Sequence, residues 1–328
     1  MSKKWIAVVA VVVVVVFLLA VIAITANKPA EVIGQEDRLA VIPATAVKMT
    51  PDTDLRKPVV HSSDWSQPVP LPGLVNTAGA EDSPFIVANG TWFFFFFTPD
   101  VKVPVEKQLT DGVTGIWWTR LVNGSWTSPE KIVLNDDVSL DGAEFVLGDT
   151  LWFGSVRVGN YGEIDIYTAR YSDSKWGDVE NAGAQLNVDY NIGEFHITSD
   201  GSTMFFHSGN WSQGENMDMW ETHLSGGTWS APVRLVGVNT NADEGFPYIT
   251  PDGNELWFTK YSGLGYAGPA IFRSAKLPNG TWGAPEEIVS NFAGEPTLDA
   301  EGNIYFVHHY YNAADEMVEA DIYVCYKQ

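Results

Sequence analysis

Carboxylic acids recur at one kind of position in this chain, the start of a short apolar segment that precedes an aromatic one. The acids of this set are Asp82, Glu144, Glu194, Glu244 and Glu295, with Glu81 and Asp243 as neighbours. Aligning the aromatic segments puts Glu144, Glu194 and Glu295 at one equivalent position. Two carboxyl groups about 5–9 Å apart can act as acid and as base or nucleophile in glycoside hydrolysis. The same acids can instead bind a cation, a peptide or the hydroxyl groups of a glycan.

Aromatic side chains are expected on the same face as these acids, in the longer loops. They are Tyr161, Trp211, Tyr261, Tyr266, Tyr310 and Tyr311. Aromatic rings stack on the apolar faces of sugars, while carboxylates accept hydrogen bonds from hydroxyl groups. We therefore take Tyr161, Trp211, Tyr261 and Tyr310 as ligand-binding candidates beside the five acids. The sequence does not mark out a particular pair of acids as catalytic.

An internal repeat positions all of these residues. Five tryptophans follow one another at spacings of 61, 50, 53 and 53 residues, namely Trp65, Trp126, Trp176, Trp229 and Trp282. A second series consists of five short aromatic segments, at 91–97, 151–155, 204–208, 256–260 and 304–308. A third series of β-type segments lies at 115–121, 165–171, 218–224, 270–277 and 321–327. A repeat of this length with several strands in each copy is typical of propeller blades.

The turns between these segments predict how the strands are connected. Asp-Gly at 252–253 and Asn-Gly at 279–280 are typical of tight hairpins, because both favour positive φ. The repeat unit is therefore a four-stranded antiparallel meander, and five of them predict an all-β, five-bladed β-propeller over residues 64–328. The last copy lacks a tryptophan strand, so we expect the segment 64–71 to complete the final blade. The phenylalanine run 93–97 is expected to pack on both faces of its sheet.

The repeat resembles a known family. The segments EGFPYITPDGNELWFTK (244–260) and GGTWSAPVRL (226–235) are similar to the repeats of TolB-like, WD-repeat-like β-propellers. The resemblance covers about residues 64–328 in five copies, and it implies a fold and not an activity, because the shared residues are mostly in turns and core. Blade 2 departs from the pattern in lacking the Asp-Gly turn, and blade 1 carries an enlarged insert at 98–114.

No cofactor is expected, with one alternative. Asn239, Asn241 and Asp243 alternate as calcium ligands can, but Gly245 is one position late and no glutamate closes a 12-residue loop. The six histidines show no compact metal-ligand spacing, and His308 with His309 is notable because the pair begins a loop on the candidate face.

The N-terminal region predicts a membrane anchor. Residues 5–24 are apolar and without charge, which as a helix spans about 30 Å, the thickness of a bilayer core. Lys3 and Lys4 precede this segment, so residues 1–4 are expected in the cytoplasm and the propeller outside it. Cleavage as a signal peptide is the alternative for residues 5–25. Residues 26–63, with four prolines, are expected to be a spacer.

Charge and composition limit the function. From residue 28 onward, 17 basic residues stand against 41 acidic ones, a net charge of −24 that disfavours nucleic acid as a partner. The single cysteine, Cys325, cannot form an intramolecular disulfide. Possible N-glycosylation sites are Asn89, Asn123, Asn210 and Asn279.

Three functional hypotheses remain. The preferred one is a cell-surface binding or scaffolding module whose glycan, peptide or cation ligand contacts the acidic, aromatic face, with an envelope protein or glycan as partner. The alternatives are a glycosidase that uses two of the five acids, and a structural envelope protein. In the structural envelope protein the acidic charge serves solubility, and the recurring acids bond to neighbouring backbone and hold the blades together.

Overall fold

A computed structural model of the chain describes residues 33–134, 138–188, 190, 192–209 and 216–328. The predicted anchor at 5–25, Asn210 and Trp211 lie outside the described residues. Within the described part of the chain, no helix is both long and apolar enough to cross a membrane.

The described residues form an all-β fold with three short helices. The helices are α1 (Gln35–Val41), α2 (Val105–Gln108) and α3 (Ala184–Val188). The strands are β1 (Val59–Val60), β2 (Val69–Pro70), β3 (Ala80–Ile86), β4 (Trp92–Thr98), β5 (Gly115–Val122), β6 (Ser125–Trp126), β7 (Glu130–Lys131), β8 (Leu140–Leu147), β9 (Thr150–Val156), β10 (Asp165–Ser172), β11 (Lys175–Asn181), β12 (Phe195–Ile197), β13 (Thr203–Ser208), β14 (Asp218–Ser225), β15 (Thr228–Trp229), β16 (Val233–Arg234), β17 (Glu244–Ile249), β18 (Glu255–Tyr261), β19 (Pro269–Ala275), β20 (Glu286–Ser290), β21 (Ala293–Leu298), β22 (Ile304–Tyr311) and β23 (Met317–Cys325).

The strands pair as antiparallel meanders, five of them within the described residues. The meanders begin at β3, β8, β12, β17 and β21, and each continues through the next two strands to an outer edge. The five first strands contact one another in that order, and β21 contacts β3 again. The meanders therefore form a closed ring around a central channel, with the first strands innermost. Such a ring leaves few open sheet edges, which opposes edge-to-edge aggregation.

Aromatic side chains fill the spaces between the meanders. In the phenylalanine run, Phe93, Phe95 and Phe97 belong to one core cluster and Phe94 to another, and all four are fully buried. The run thus packs on both faces of its sheet, as its sequence predicts. Burial stabilises the fold by about 1.5–3 kcal/mol for each such side chain.

The N-terminal strand of the repeat closes the ring. β2 pairs with β23, and Trp65 bridges to Lys327, so the segment 64–71 supplies the outer edge of the last meander. The indole of Trp65 is buried, meets the ring of Trp257 edge-on at 5.6 Å and donates a hydrogen bond to the carbonyl of Gly302. This is the arrangement predicted from the missing tryptophan strand of the last copy.

A bulge interrupts four of the innermost strands near their starts. The pairing register shifts there, and the bulged residues Ser83, Ala143, Phe246 and Glu295 have φ of 45°, 53°, 57° and 54°. Each bulged residue lies two residues before the first residue that pairs after the shift. In the third meander Glu194 occupies this position, two residues before His196, which pairs with Phe205. Glu144 lies one residue later than Glu194 and Glu295. The sequence alignment that made these three acids equivalent is therefore wrong for Glu144, because the turn to the aromatic strand is shorter in the second meander, where Leu147 pairs with Thr150, than in the third, where Ile197 pairs with Met204.

The segment predicted as a spacer is packed against the ring from Ile33 onward. The side chain of Arg38, in α1, is fully buried over the rings of Phe95, Phe97 and Trp117. β1 adds a strand to the outer edge of the fourth meander, by pairing with β20. The described part of this segment is therefore part of the globular unit, in contrast to the spacer prediction.

Candidate functional site

A cavity of about 130 Å³ opens at the end of the channel where the innermost strands begin. We call it the mouth cavity. Its polar groups include Asp82, Glu194, Glu295 and His309, and its apolar wall includes Phe96, Val101, Ile164, Phe246 and Met317. Among the described residues that line it, His309 is the one basic side chain. Acidic groups therefore face a partly apolar space with little positive charge nearby.

A narrower pocket of about 40 Å³ lies on the channel axis and shares Glu194, Phe246 and Glu295 with the mouth cavity. We call it the channel pocket. All five innermost strands line it, and the lining includes Glu144.

Side chains two residues after the bulge position also line this pocket and pack against one another across the channel. They are Phe85, Phe145, His196, Tyr248 and Thr297, one from each innermost strand, and we call them the throat ring. The His196 imidazole lies 5.0 Å from the ring of Phe145 and 4.8 Å from that of Tyr248. Burial lowers the pKa of His196 to about 3, so this histidine is neutral at physiological pH.

Asp82 and Glu295 form a coupled pair at the mouth. Burial raises the pKa of Glu295 well above its usual range, and the negative charge of Asp82 raises it further. Burial would also raise the pKa of Asp82, but the neighbouring imidazole of His309 and the amide of Ser83 outweigh it, and the pKa is lowered. Nε2 of His309 lies 3.8 Å from the Asp82 carboxylate, and the amide of Ser83 donates to Glu295 at 3.0 Å. The pair therefore holds one ionised and one protonated carboxyl group.

Glu194 lies in both the mouth cavity and the channel pocket. Burial raises its pKa to about 8, with a further contribution from the charge of Asp82. Its own backbone nitrogen lies 3.2 Å from Nε2 of His207, whose Nδ1 lies 3.1 Å from the backbone nitrogen of Phe246. Burial lowers the pKa of His207 to about 3, so its imidazole is neutral. The ring lies between the innermost strands of the third and fourth meanders. At neutral pH Glu194 is mostly protonated.

Glu144 is the acid with the fewest interactions in this group. The residue is 5% exposed, and neither carboxyl oxygen meets a hydrogen-bond donor on another described residue. Burial raises its pKa well above the usual range, and the charges of Glu194 and Asp82 act in the same direction. A buried carboxyl group without donors costs free energy of folding, and such groups concentrate at functional sites.

Two further acids of the set have structural roles. Glu81 accepts hydrogen bonds from the amide and hydroxyl of Thr77 and lies 3.7 Å from Arg38. Glu244, a predicted ligand-binding residue, is fully buried, bonds to Thr240 in the same way and pairs with Lys260 at 3.0 Å. Both bind the loop that precedes their own strand, and Glu244 does not line the mouth cavity. For these two acids the structure therefore supports the structural alternative.

The aromatic candidates do not converge on the cavity. Tyr310 is fully buried, and its hydroxyl lies 3.1 Å from Asp321 and 2.8 Å from the hydroxyl of Tyr323, so its ring is not free to stack on a ligand. Tyr161 and Tyr261 are exposed on this face but do not line the cavity, and Trp211 lies outside the described residues. The aromatic rings that do line it, Phe96 and Phe246, are not among the predicted candidates.

The calcium alternative finds no support in the structure. Both atoms of the Asn239 amide group bond to the backbone of Met219, and Asp243 accepts a hydrogen bond from the amide of Met217. No group of three or more acidic, histidine or cysteine side chains in the described part of the chain is arranged to hold a metal ion. Of the four sequons, Asn89 and Asn279 accept hydrogen bonds within their turns, and with Asn123 they lie at the strand ends away from the mouth.

Comparison with known proteins gives structural neighbours only. No family model matches the chain, and no curated protein sequence matches it. Similar solved structures include TolB from Acinetobacter baumannii, with a TM-score of 0.42 and 13% identity over 77% of this chain and 56% of that chain. The catalytic domain of the GH62 α-L-arabinofuranosidase from Coprinopsis cinerea has a TM-score of 0.49 and 11% identity over 81% of this chain and 97% of that chain. The β-propeller domain of the Trilobed protease from Pyrococcus furiosus has a TM-score of 0.34 and 9% identity over 58% of this chain and 55% of that chain. TolB and other β-propeller proteins are thus among the structures similar to this chain, and their ligands and activities are properties of those proteins.

Proposed function

We propose that the five meanders are the blades of one five-bladed propeller, and that the protein is a binding module whose ligand occupies the mouth cavity. The closed order of contacts among the innermost strands supports the first part. The second part depends on one observation: Asp82, Glu144, Glu194 and Glu295 converge at the mouth, where His309 is the one basic group of the described lining.

Holding the ring together does not explain Glu144 and Glu194, in contrast to Glu295, which accepts a hydrogen bond from the amide of Ser83 in the neighbouring innermost strand. Glu81 and Glu244 bond to loops and cations, but Glu144 has no donor on another described residue and Glu194 is held in its protonated form. Burying such groups weakens the fold, so their presence is best explained by what they bind. A ligand that carries hydrogen-bond donors and an apolar surface matches carboxyl groups set beside Phe96 and Phe246.

Glycoside hydrolysis is the second candidate, and it is favoured by a different observation. The pKa of Asp82 is lowered, whereas that of Glu194 is raised to about 8 in the same cavity. One ionised and one protonated carboxyl group are the two forms that glycoside hydrolysis requires. In this alternative Asp82 is the base or nucleophile and Glu194 the general acid.

We further propose that residues 5–25 anchor the chain in the cell membrane, with the propeller outside the cytoplasm. The 20-residue apolar run and the lysines before it support this arrangement. The three described sequons lie at the strand ends away from the mouth, so glycans there would leave the cavity open.

The test compares the full-length chain, in mild detergent, with its D82N variant and with E163Q as a control. Glu163 is an exposed acid in a loop on the mouth face and does not line the cavity. Each protein is incubated with a mixed panel of oligosaccharides, peptides and amines, and native mass spectra are recorded. Intact ligand on wild type and E163Q, but not on D82N, supports a binding module. Shortened sugars with the same dependence on Asp82 support hydrolysis. Binding that D82N retains would exclude the mouth cavity as the site.

A further inference from the structure

Most buried acids elsewhere in the described chain are matched by cations; Asp165 is the exception and accepts hydrogen bonds from the amides of Tyr161 and Gly162 and from the Asn181 side chain. The pairs are Glu81 with Arg38, Asp141 with Arg157, Glu244 with Lys260, Asp54 with His308, and both Glu319 and Asp321 with Lys48. In the second meander the cation, Arg157, directly follows the second strand, and in the fourth meander the cation, Lys260, lies in the second strand. In the first meander Phe97 occupies the position equivalent to Lys260, and Arg38 from α1 supplies the charge. The fold thus pairs most of its buried acids with cations, in some cases from distant segments.

Lys48 shows how this protein holds an ammonium group. Its Nζ contacts the carboxylates of Glu319 and Asp321 and lies 5.9 Å from the centre of the Tyr310 ring. Burial alone would lower the pKa of Lys48, but the two carboxylates outweigh it and the pKa is raised. Carboxylates from one strand together with an aromatic face are therefore sufficient to hold a primary ammonium group in this fold.

The mouth cavity contains similar components, but among the described residues Glu194 and Glu295 have no cation partner, while Asp82 lies 3.8 Å from Nε2 of His309. Asp82, Glu194 and Glu295 come from three different innermost strands, and Phe96 and Phe246 supply aromatic surface. Next to the cavity, both carboxyl oxygens of Glu144 are buried without a donor from another described residue. These unmet acceptors are an observation independent of the acidic cluster, and they call for hydrogen-bond donors.

We infer, on the basis of the proposed binding function, that the mouth cavity binds a protonated primary amine, such as the lysine side chain of a peptide or a small alkylamine. The ammonium group would lie among Asp82, Glu194 and Glu295, where the mouth cavity joins the channel pocket and Glu144 would be a further acceptor, with the alkyl chain against Phe96 and Phe246. An ammonium group carries three donors on a rotatable bond, so it can serve carboxyl groups from separate strands. A planar guanidinium ion instead requires two acceptors side by side.

Amine binding should release protons from the site. The titratable groups that face the cavity and the channel pocket are Asp82, His309, Glu295, Glu194, Glu144, His196 and Tyr248. Burial lowers the pKa of His196 to about 3 and raises that of Tyr248, so these two groups keep their protonation states between pH 6 and 8. An ammonium ion favours ionised carboxyl groups, so Glu194, with a pKa of about 8 in the empty site, would lose its proton on binding. Affinity should therefore rise from pH 6 to about pH 8 and remain level until the amine itself deprotonates near pH 10.

The experiment is titration calorimetry of the full-length protein with n-butylamine and, as a neutral analogue, 1-butanol. Titrations at pH 6, 7 and 8 in two buffers of different ionisation enthalpy measure proton release. We expect butylamine to bind at least about 10-fold more tightly than butanol, because hydrogen bonds to charged groups contribute about 1.5–3 kcal/mol. E194Q and E144Q should each weaken butylamine binding by about 10-fold or more on the same basis, while E163Q should not change it.

The outcomes separate this inference from the proposed function. Equal affinity for butylamine and butanol, or butylamine binding that both glutamine variants retain, overturns the amine inference. If a glycan or an uncharged peptide binds in a manner that depends on Asp82 and butylamine does not, the binding function stands and the amine inference is wrong. If wild-type protein with a native circular dichroism spectrum binds nothing from the panel, both proposals fail. The variants replace carboxylic acids by amides of equal size, so the spectrum of each is compared with that of wild type.

Discussion

Replacing Glu194 by glutamine should make the protein more stable, and the gain should grow with pH. In the folded state burial raises the pKa of Glu194 to about 8, whereas an unfolded glutamate titrates near 4.3. Below about pH 4 both states are protonated, and this group contributes no pH dependence to stability. As pH rises from about 4 to about 8, the unfolded state loses its proton and the folded state keeps it, so stability falls. Above about pH 8 the penalty is constant.

The magnitude follows from the difference between the two pKa values. Each pKa unit corresponds to about 1.4 kcal/mol, so wild type at pH 7 should have lost about 3 kcal/mol through this side chain. Glutamine has nearly the same size as protonated glutamate and does not titrate. The variant should therefore match wild type near pH 4.5 and exceed its free energy of unfolding by about 3 kcal/mol at pH 7.

Urea unfolding followed by tryptophan fluorescence, at pH 4.5, 6, 7 and 8, measures this difference. E163Q removes an exposed acid on the same face and should leave the stability curve within about 0.5 kcal/mol of wild type. Our reasoning is refuted if E194Q is less stable than wild type at pH 7, or if the two stability curves remain parallel. Since the same substitution is expected to weaken ligand binding, a stabilised variant that no longer binds would identify Glu194 as a functional residue and not a structural one.

Two further substitutions test the packing around the site. Arg38→Met should destabilise the protein by about 3 kcal/mol, and by more at pH 8 than at pH 5, because it leaves Glu81 buried without its cation. Thermal unfolding measures this loss, and Arg170→Met, at an exposed ion pair, is the control. Equal losses of stability in the two variants would contradict the argument. Gly193→Ala should destabilise the protein by about 1–3 kcal/mol, because a Cβ atom at this position would lie 2.1 Å from Nε2 of His207. An unchanged midpoint of urea unfolding would show that the imidazole can move aside.

The repeat could be found from sequence because each copy carries its own local signals. Hairpin turns such as Asp252–Gly253 and the regular tryptophan spacing depend on neighbours in the chain. The closing strand 64–71 was also predictable, since it is the one piece that the last copy lacks. These signals predicted the meanders and the way in which the chain ends join.

The site was harder to predict because it depends on the bulges. Glu295 is itself the bulged residue with positive φ and Glu194 occupies the equivalent position, whereas Glu144 lies one residue later, and nothing in the local sequence marks the bulge. Phe96 was hidden within a run of five phenylalanines, of which the other four are fully buried. Tyr310 was chosen for its place next to a loop, but an antiparallel partner buries it.

The N-terminal segment shows that composition alone does not predict which residues pack against the ring. Its four prolines predict a spacer, yet α1 places Arg38 over the aromatic rings of the first meander. The complementary acid, Glu81, lies 43 residues further along the chain, so only the folded ring brings the two together. Sequence patterns cannot reveal a partner that lies across the structure.

The throat ring makes the channel a dead end. With Phe85, Phe145, His196 and Tyr248 packed across the axis, a molecule that enters at the mouth must leave by the same opening, and so must any water that it displaces. A polymer cannot thread through the ring, whatever its chemistry. The protein can therefore recognise only what projects into it: the end of a chain, a side branch or a single side chain.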